Sequence, residues 1–242
     1  MRSEKRVLAG FVVLVFAFPL ACGATDWKTF DDPTSFLRTE AFASAIKELP
    51  PTEKAAAIKR LQESLKSKEV EVRRRAALTL ADLGDKSGTP TMIEDLSTAT
   101  GHDRNNVAVA LRILKDERAI PALRKGLKDK SPYVRGIAAA ALGEMKAVKA
   151  YDELVTLTKD KEDVDAGKKI EGKLNCIRDC PAYSACYALG ALGDEQAVPI
   201  LIELLADADC QGPARQALEV LTKQKFGNDR ELWKKWWKDK SQ

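Results

Sequence analysis

Residues that most often perform chemistry are scarce in this chain. It has a single histidine, His102, among 242 residues, and aromatic residues make up only 6% of it. We find no G-x-S-x-G nucleophile motif, no H-E-x-x-H zinc motif and no glycine-rich phosphate loop. General acid–base chemistry needs a positioned base with an orienting partner. The sequence therefore disfavours an enzyme, and His102 is more simply interpreted as an exposed turn residue.

A strong charge of either sign is also lacking. The formal net charge is +4, and Arg2, Lys5 and Arg6 against Glu4 supply +2 of it within the first six residues. Nucleic-acid binding would need a concentrated basic face, so we expect no nucleic-acid partner. No haem attachment motif is present. We expect no cofactor, no resident metal and no small-molecule substrate.

The N-terminus has the features of an export signal. A basic stretch, an apolar run over 7–20 and small residues around Cys22 are typical of a secretory signal peptide. Leu20-Ala21-Cys22 resembles the end of a bacterial lipobox, although Pro19 stands where that motif usually has Leu. We predict a signal over 1–22, lipid attachment at Cys22 and a polar spacer over 23–35. The alternative is ordinary cleavage nearby, which would release a soluble periplasmic or secreted protein.

Three apolar positions recur along the chain at one spacing. From Leu80, steps of 31 residues reach Leu111 and Leu142, a step of 47 reaches Leu189, and 31 more reach Val220. The second series is Leu61, Met92, Leu123, Leu154, Leu201 and Leu232, and the third is Ile46, Ala77, Ala108, Ala139, Cys186 and Ala217. A period of this length indicates stacked supersecondary units. The longer step predicts a loop insertion over about 161–176.

The pattern inside each unit is helical. In SPYVRGIAAAALGEM, over 131–145, small and branched residues recur every three or four positions and line one face. Pro90, Pro121 and Pro199 lie just inside the starts of second helices such as AIPALRKGLKD, where a missing N–H costs nothing. A helix pair cannot bury its apolar face alone, so the pairs must stack. We predict an all-α solenoid of about six pairs.

Two of these stretches resemble a known repeat. VEVRRRAALTLADLGD and SPYVRGIAAAALGEM, each with a second helix carrying Leu at a fixed offset, resemble HEAT repeats, closest to the short bacterial kind found in phycobilisome lyases. The resemblance covers about 36–240, and we predict the solenoid over 36–242. It implies an armadillo-like, right-handed superhelical stack that binds proteins. It also suggests, as a less favoured function, a lyase-like enzyme or accessory subunit.

An arginine recurs at the start of the first helix in three units, at Arg73, Arg104 and Arg135. One interpretation is a row of anion-binding sites. The other is that each arginine pairs with a turn carboxylate, as Asp129 lies six residues before Arg135. Surface charge rows are usually paired locally, and HEAT-like repeats commonly use arginine in this way. The structural interpretation is therefore favoured.

The chain ends in a tryptophan-rich segment, NDRELWKKWWKDK. We predict a capping helix over 229–240, with Trp233, Trp236 and Trp237 on one face, because a terminal repeat needs its own cover. A helix lying at a membrane interface is the alternative, since Trp and Lys are used there.

Four further cysteines, Cys176, Cys180, Cys186 and Cys210, predict disulfides if the chain is exported. One repeat before Cys210 lies the neighbour of Cys180, so a Cys180–Cys210 bridge between adjacent units is the favoured pair. Cys176 could reach Cys186, although Cys186 belongs to the small-residue series and could instead be a buried free thiol. The cysteine spacings fit a zinc site poorly.

Together these features predict a membrane-tethered protein–protein interaction scaffold of the bacterial cell envelope, with no catalytic activity. The alternative is a structural envelope component that binds cell-wall material. We expect the insertion to shape the binding face or to lock one geometry. Charged positions of the second helices are the partner-surface candidates: Arg124, Lys125, Lys128, Asp152 and Glu153, with Glu94, Asp95 and Glu203 of the same kind.

Overall fold

A computed structural model describes residues 27–32, 39–162 and 180–241, and every regular element in these ranges is helical. The all-α prediction is confirmed. The predicted signal over 1–22, most of the 161–176 insertion, Cys22 and Cys176 lie outside the described residues. The chain divides into two compact units, Met1–Asp85 and Lys86–Gln242.

The first unit contains four helices among its described residues. They are α1 (Trp27–Asp31), α2 (Thr39–Lys47), α3 (Pro51–Ser64) and α4 (Val70–Asp82). Their apolar faces enclose one core, formed by Phe30, Phe42, Ile46, Ala57, Leu61, Val72, Ala76 and Leu80. The apolar residues that recur every three or four positions therefore form one hydrophobic core, because residues at that spacing lie on one side of a helix.

Helix α1 packs into this core, which differs from the predicted polar spacer over 23–35. Phe30 is fully buried, and the Trp27 ring contacts the Phe42 ring edge-on at a centroid distance of 5.1 Å. Arg75 Nη1 donates hydrogen bonds to the carbonyl oxygens of Phe30 at 2.8 Å and Asp32 at 2.7 Å. A cation at the C-terminal end of a helix satisfies its orphan carbonyls, so the Trp27–Asp32 segment is part of the fold.

The second unit contains nine helices among the described residues. They are α5 (Thr89–Thr98), α6 (Gly101–Leu114), α7 (Ile120–Gly126), α8 (Pro132–Glu144), α9 (Tyr151–Leu157), α10 (Pro181–Leu192), α11 (Val198–Leu204), α12 (Gln211–Thr222) and α13 (Arg230–Lys240). Helices α6, α8, α10 and α12 pack side by side as a first-helix layer, and α5, α7, α9, α11 and α13 form a second-helix layer. Along the second unit the chain alternates between the two layers, as the predicted helix pairs require.

Two glycines let the first helices approach closely. A Cβ on Gly143 of α8 would lie 2.5 Å from the Cα of Ala188 in α10. A Cβ on Gly190 of α10 would lie 2.7 Å from the Cα of Ala217 in α12. Real Cβ contacts are never this short. Glycine at these two positions therefore sets the spacing of α8, α10 and α12.

The predicted apolar series hold except in the last repeat. Leu80, Leu111, Leu142 and Leu189 are fully buried, as are Leu61, Met92, Leu123, Leu154 and Leu201. Val220 is 57% exposed, and Leu232 is 48% exposed. Leu218 and Trp233 occupy the inward positions instead, at 0% exposure. A helix turns by about 100° per residue, so a shift of one or two positions in the terminal repeat moves the predicted residues outward.

Candidate interaction face of the second helices

The arginine row is structural. Arg73 donates to carbonyl oxygens of the preceding turn at 2.8 and 2.9 Å. Arg104 donates to both carboxylate oxygens of Asp129 at 3.2 Å. Arg135 donates to the Asp129 carbonyl at 2.8 Å and pairs with the Asp160 carboxylate at 2.6 Å. Arg104 and Arg135 therefore each connect the turn before their own helix to the equivalent turn of the next repeat. The Asp129 carboxylate pairs with Arg104 rather than with Arg135.

The five partner-surface candidates lie on the two second helices α7 and α9 and in the turn that follows α7. Arg124 Nε donates to Glu153 Oε1 at 3.0 Å, which joins α7 to α9. Partial burial acts to raise the pKa of Glu153, but the hydrogen bond from Arg124 and the charges of Arg124 and Lys128 hold it below its usual value. Lys125, Lys128 and Asp152 are exposed. The structure thus pairs Arg124 with Glu153 and places Lys128 near that pair, while Lys125 and Asp152 are exposed on the same two helices.

A second charge cluster joins α11 to α13. Glu203 pairs with Arg230, and Lys234 Nζ lies 3.5 Å from Glu203 Oε1. Glu94 is exposed on α5, but Asp95 is only 4% exposed. The prediction of Asp95 as a surface residue is therefore wrong, because it lies on the inward side of its helix.

Between α11 and α13 lies a groove that the sequence interpretation missed. Its volume is about 410 Å³, and its lining includes Pro199, Ile200, Ile202, Glu203, Lys234, Trp237 and Lys238. We call it the α11–α13 groove. A signal was present in the sequence: Ile200 stands 47 residues after Glu153, at the equivalent position one repeat later. The second-helix layer thus changes there from a charged to an apolar surface.

The tryptophans of α13 divide between cap and groove. Trp233 is fully buried, its ring lies 4.8 Å from that of Phe226, and its Nε1 donates to the Gly227 carbonyl at 3.0 Å. Trp236 and Trp237 remain partly exposed. The indole of Trp233 covers the end of the second unit, as expected of a capping helix, while Trp237 faces the α11–α13 groove.

The remaining predicted site residues among the described ranges lie on first helices or at their starts. His102 lies in the first turn of α6, rather than in a turn before it, and is exposed. Cys180, Cys186 and Cys210 are buried free thiols, so the predicted Cys180–Cys210 disulfide is not formed. Within the described ranges, no helix has the length and apolarity needed to cross a bilayer.

Two family models match parts of the chain: HEAT repeats over residues 103–167, and the PBS lyase HEAT-like repeat over 181–207. Each of these stretches is therefore similar to HEAT repeats. The first covers the helices that carry Arg104, Arg135 and the Arg124–Glu153 pair, and the second covers α10 and α11. Comparison with curated proteins gives no match.

Solved structures share the fold of these HEAT repeats. The complex of CpcE and CpcF of phycocyanin lyase from Nostoc sp. PCC7120 is 23% identical, with a TM-score of 0.51 over 74% of this chain and 68% of that chain. The Escherichia coli protein YibA is 20% identical, with a TM-score of 0.57 over 84% of this chain and 70% of that chain. At these identities the similarity concerns the fold.

Proposed function

We propose that this HEAT-repeat protein is a non-catalytic scaffold that binds a partner protein through its second-helix layer. The observation that carries the proposal is the α11–α13 groove, an apolar depression of about 410 Å³ beside Trp237. Partly exposed tryptophans are enriched among the residues that dominate binding energy in protein interfaces. Ion pairs of Glu203 with Arg230 and Lys234 adjoin the apolar lining, which is the usual arrangement of an apolar centre with a polar rim.

The charged cluster on α7 and α9 extends this face. Arg124 and Glu153 already satisfy one another across neighbouring helices, so they fix the spacing of the layer more than they attract a partner. Exposed Lys125, Lys128 and Asp152 remain at its surface. Rim charges of both signs mainly influence the rate of encounter. We therefore assign specificity to the α11–α13 groove and electrostatic guidance to the cluster.

We further propose that lipid attachment at Cys22 tethers the scaffold to a bacterial envelope membrane, facing the periplasm or cell surface. Trp27 packs against the core of the first unit, and it lies five residues after Cys22. Fully extended, five residues span at most about 18 Å. The anchor would hold the first unit close to the bilayer, and a multiply acylated cysteine would make the tether firm.

The test is copurification from cells after chemical crosslinking, comparing Ile200→Glu with Val220→Glu. Ile200 lines the α11–α13 groove, whereas Val220 lines a separate apolar depression of about 470 Å³ on the first-helix layer and serves as the matched control for the other face. A charge buried in the interface should weaken partner recovery by about tenfold or more, while Val220→Glu should retain the partner. Equal recovery with both variants, or loss only with Val220→Glu, would contradict the proposed face.

Two further arms separate the remaining alternatives. Cys22→Ala should move the protein from the membrane to the soluble fraction while leaving groove-dependent binding intact. If the protein instead sediments with purified cell-wall material, and Ile200→Glu does not change this, the structural envelope role replaces the scaffold role.

A further inference from the structure

The arginine row is interrupted at α10. Ala182 stands 47 residues after Arg135, at the equivalent position. The carboxylate that an arginine there would bind belongs to Asp207, which stands 47 residues after Asp160. Lys161 supplies the missing cation, with its Nζ 2.8 Å from Asp207 Oδ1. This lysine also contacts a group of a different kind.

That group is a sulfur. Lys161 Nζ also lies 3.3 Å from Cys210 Sγ, and the Cys186 thiol lies close enough to interact with the same sulfur. Cys210 is the N-cap residue of α12, a 12-residue helix, so the positive end of the helix dipole also faces it. Cys186 and Cys210 are both fully buried. Cys180 lies near enough to interact electrostatically with Cys210.

The three thiols differ in acidity. The hydrogen bond from Cys186 and the ammonium of Lys161 lower the pKa of Cys210 to about 7, although burial and the Asp207 carboxylate act in the opposite direction. Burial raises the pKa of Cys180. The hydrogen bond with Cys210 and burial raise the pKa of Cys186. The cluster therefore holds one thiolate-forming sulfur next to one protonated thiol.

We propose that Cys210 and Cys186 form a redox-active dithiol, with Cys210 as the attacking sulfur, that is oxidised by a disulfide of the glutathione class. The Cys210 thiolate attacks one sulfur of the oxidant, which forms a mixed disulfide and releases the first thiolate. Cys186 then transfers its proton to a released thiolate, and its sulfur attacks the Cys210 sulfur. The products are one Cys186–Cys210 disulfide and two reduced thiols, so the protein loses the two electrons that the oxidant gains.

The bond would covalently join α10 to α12 at the end of the solenoid next to α13. Because both sulfurs are buried, exchange requires local opening of this corner. Cys180 has no part in the bond and remains a thiol. The inference does not depend on the proposed partner-binding function, since it concerns the first-helix layer.

The test is disulfide mapping by mass spectrometry after incubation of the full chain with oxidised glutathione. A Cys186–Cys210 linked peptide should form in the wild type and in the matched Cys180→Ser control. Cys186→Ser should stop at a glutathione adduct on Cys210, and Cys210→Ser should give neither product. A Cys180–Cys210 or Cys176–Cys186 bridge, or no loss of thiols, would overturn the proposal. A variant that fails to fold is recognised by circular dichroism, and the wild-type and Cys180→Ser maps then decide.

The role of Lys161 has its own readout. In the Cys186→Ser chain, the rate of adduct formation should rise with pH as the Cys210 thiol ionises. Adding Lys161→Met should move the midpoint of that profile upward by about one pH unit or more, because an opposite charge within 4–6 Å shifts a pKa by this amount. An unchanged midpoint would show that Lys161 only pairs with Asp207.

Discussion

Replacement of Gly143 by alanine should separate two helices that the fold requires to touch. The added Cβ would lie 2.5 Å from the Cα, 2.8 Å from the Cβ and 2.9 Å from the carbonyl oxygen of Ala188. Two of these three atoms are backbone, so relief requires movement of α8 against α10 rather than a side-chain rotation. Overpacking of this kind costs up to about 3 kcal/mol, and alanine returns up to about 1 kcal/mol of helix propensity. We expect a net loss of about 2 kcal/mol.

Urea denaturation monitored by circular dichroism measures this loss. Gly212→Ala is the matched control, because Gly212 is also helical and a Cβ there meets nothing within 4 Å. Its stability should be unchanged or raised by up to about 1 kcal/mol. If Gly143→Ala were as stable as Gly212→Ala, the close approach of α8 and α10 would not be required, and the reasoning would fail.

Three further predictions concern side chains that join neighbouring elements. Arg135→Met should lower the free energy of unfolding by roughly 3 kcal/mol, because it leaves the Asp160 carboxylate unpaired at a partly buried site. Arg124→Met should lower it by about 1 kcal/mol or less, because the Arg124–Glu153 pair is more exposed. The midpoints of urea denaturation distinguish the two variants. Trp233→Ala should lower the free energy of unfolding by about 3–5 kcal/mol, because it removes the buried indole that covers the last unit. Thermal melting measures this loss. Hydrogen bonds from Arg118 and Thr89 hold the pKa of Asp116 well below its usual range. The ionised Asp116 carboxylate therefore stabilises the fold above about pH 4, and this contribution is lost as the pH falls below that value. The stability deficit of Asp116→Asn should therefore shrink on acidification, and a constant deficit from pH 7 to pH 2 would refute this.

The repeat could be predicted from sequence because it is a property of spacing. Leu111, Leu142 and Leu189 are buried as the period requires, since each repeat meets the same neighbour in the same way. The terminal repeat broke the rule. There Trp233 replaces Leu232 at the inward position, because a large indole can cover the last unit. A period describes the interior of an array better than its ends.

The charged candidates show a different limit. The sequence placed Arg124 and Glu153 on second helices correctly, but spacing alone could not show that they pair with each other. It also missed the α11–α13 groove, whose lining comes from two helices and depends on how far apart they stand. Pairings across elements are set by three-dimensional packing, and one sequence carries little information about them.

The cysteines show the same limit. Register placed Cys180 and Cys210 at corresponding corners, which made them the favoured disulfide. In the structure, Cys210 instead accepts a hydrogen bond from Lys161 at 3.3 Å, and it interacts with Cys186. The signal for this arrangement was the loss of an arginine at Ala182, which can be recognised only once the arginine row is known to pair with turn carboxylates of the next repeat.

The central claim is that the second-helix layer, at the α11–α13 groove, is the partner-binding surface. The most direct measurement places a photoreactive amino acid at position 200 in one chain and at position 220 in another, with illumination of intact cells. We predict one defined protein adduct from position 200 and none from position 220. An adduct from position 220 alone, or no adduct from either position, would contradict the account.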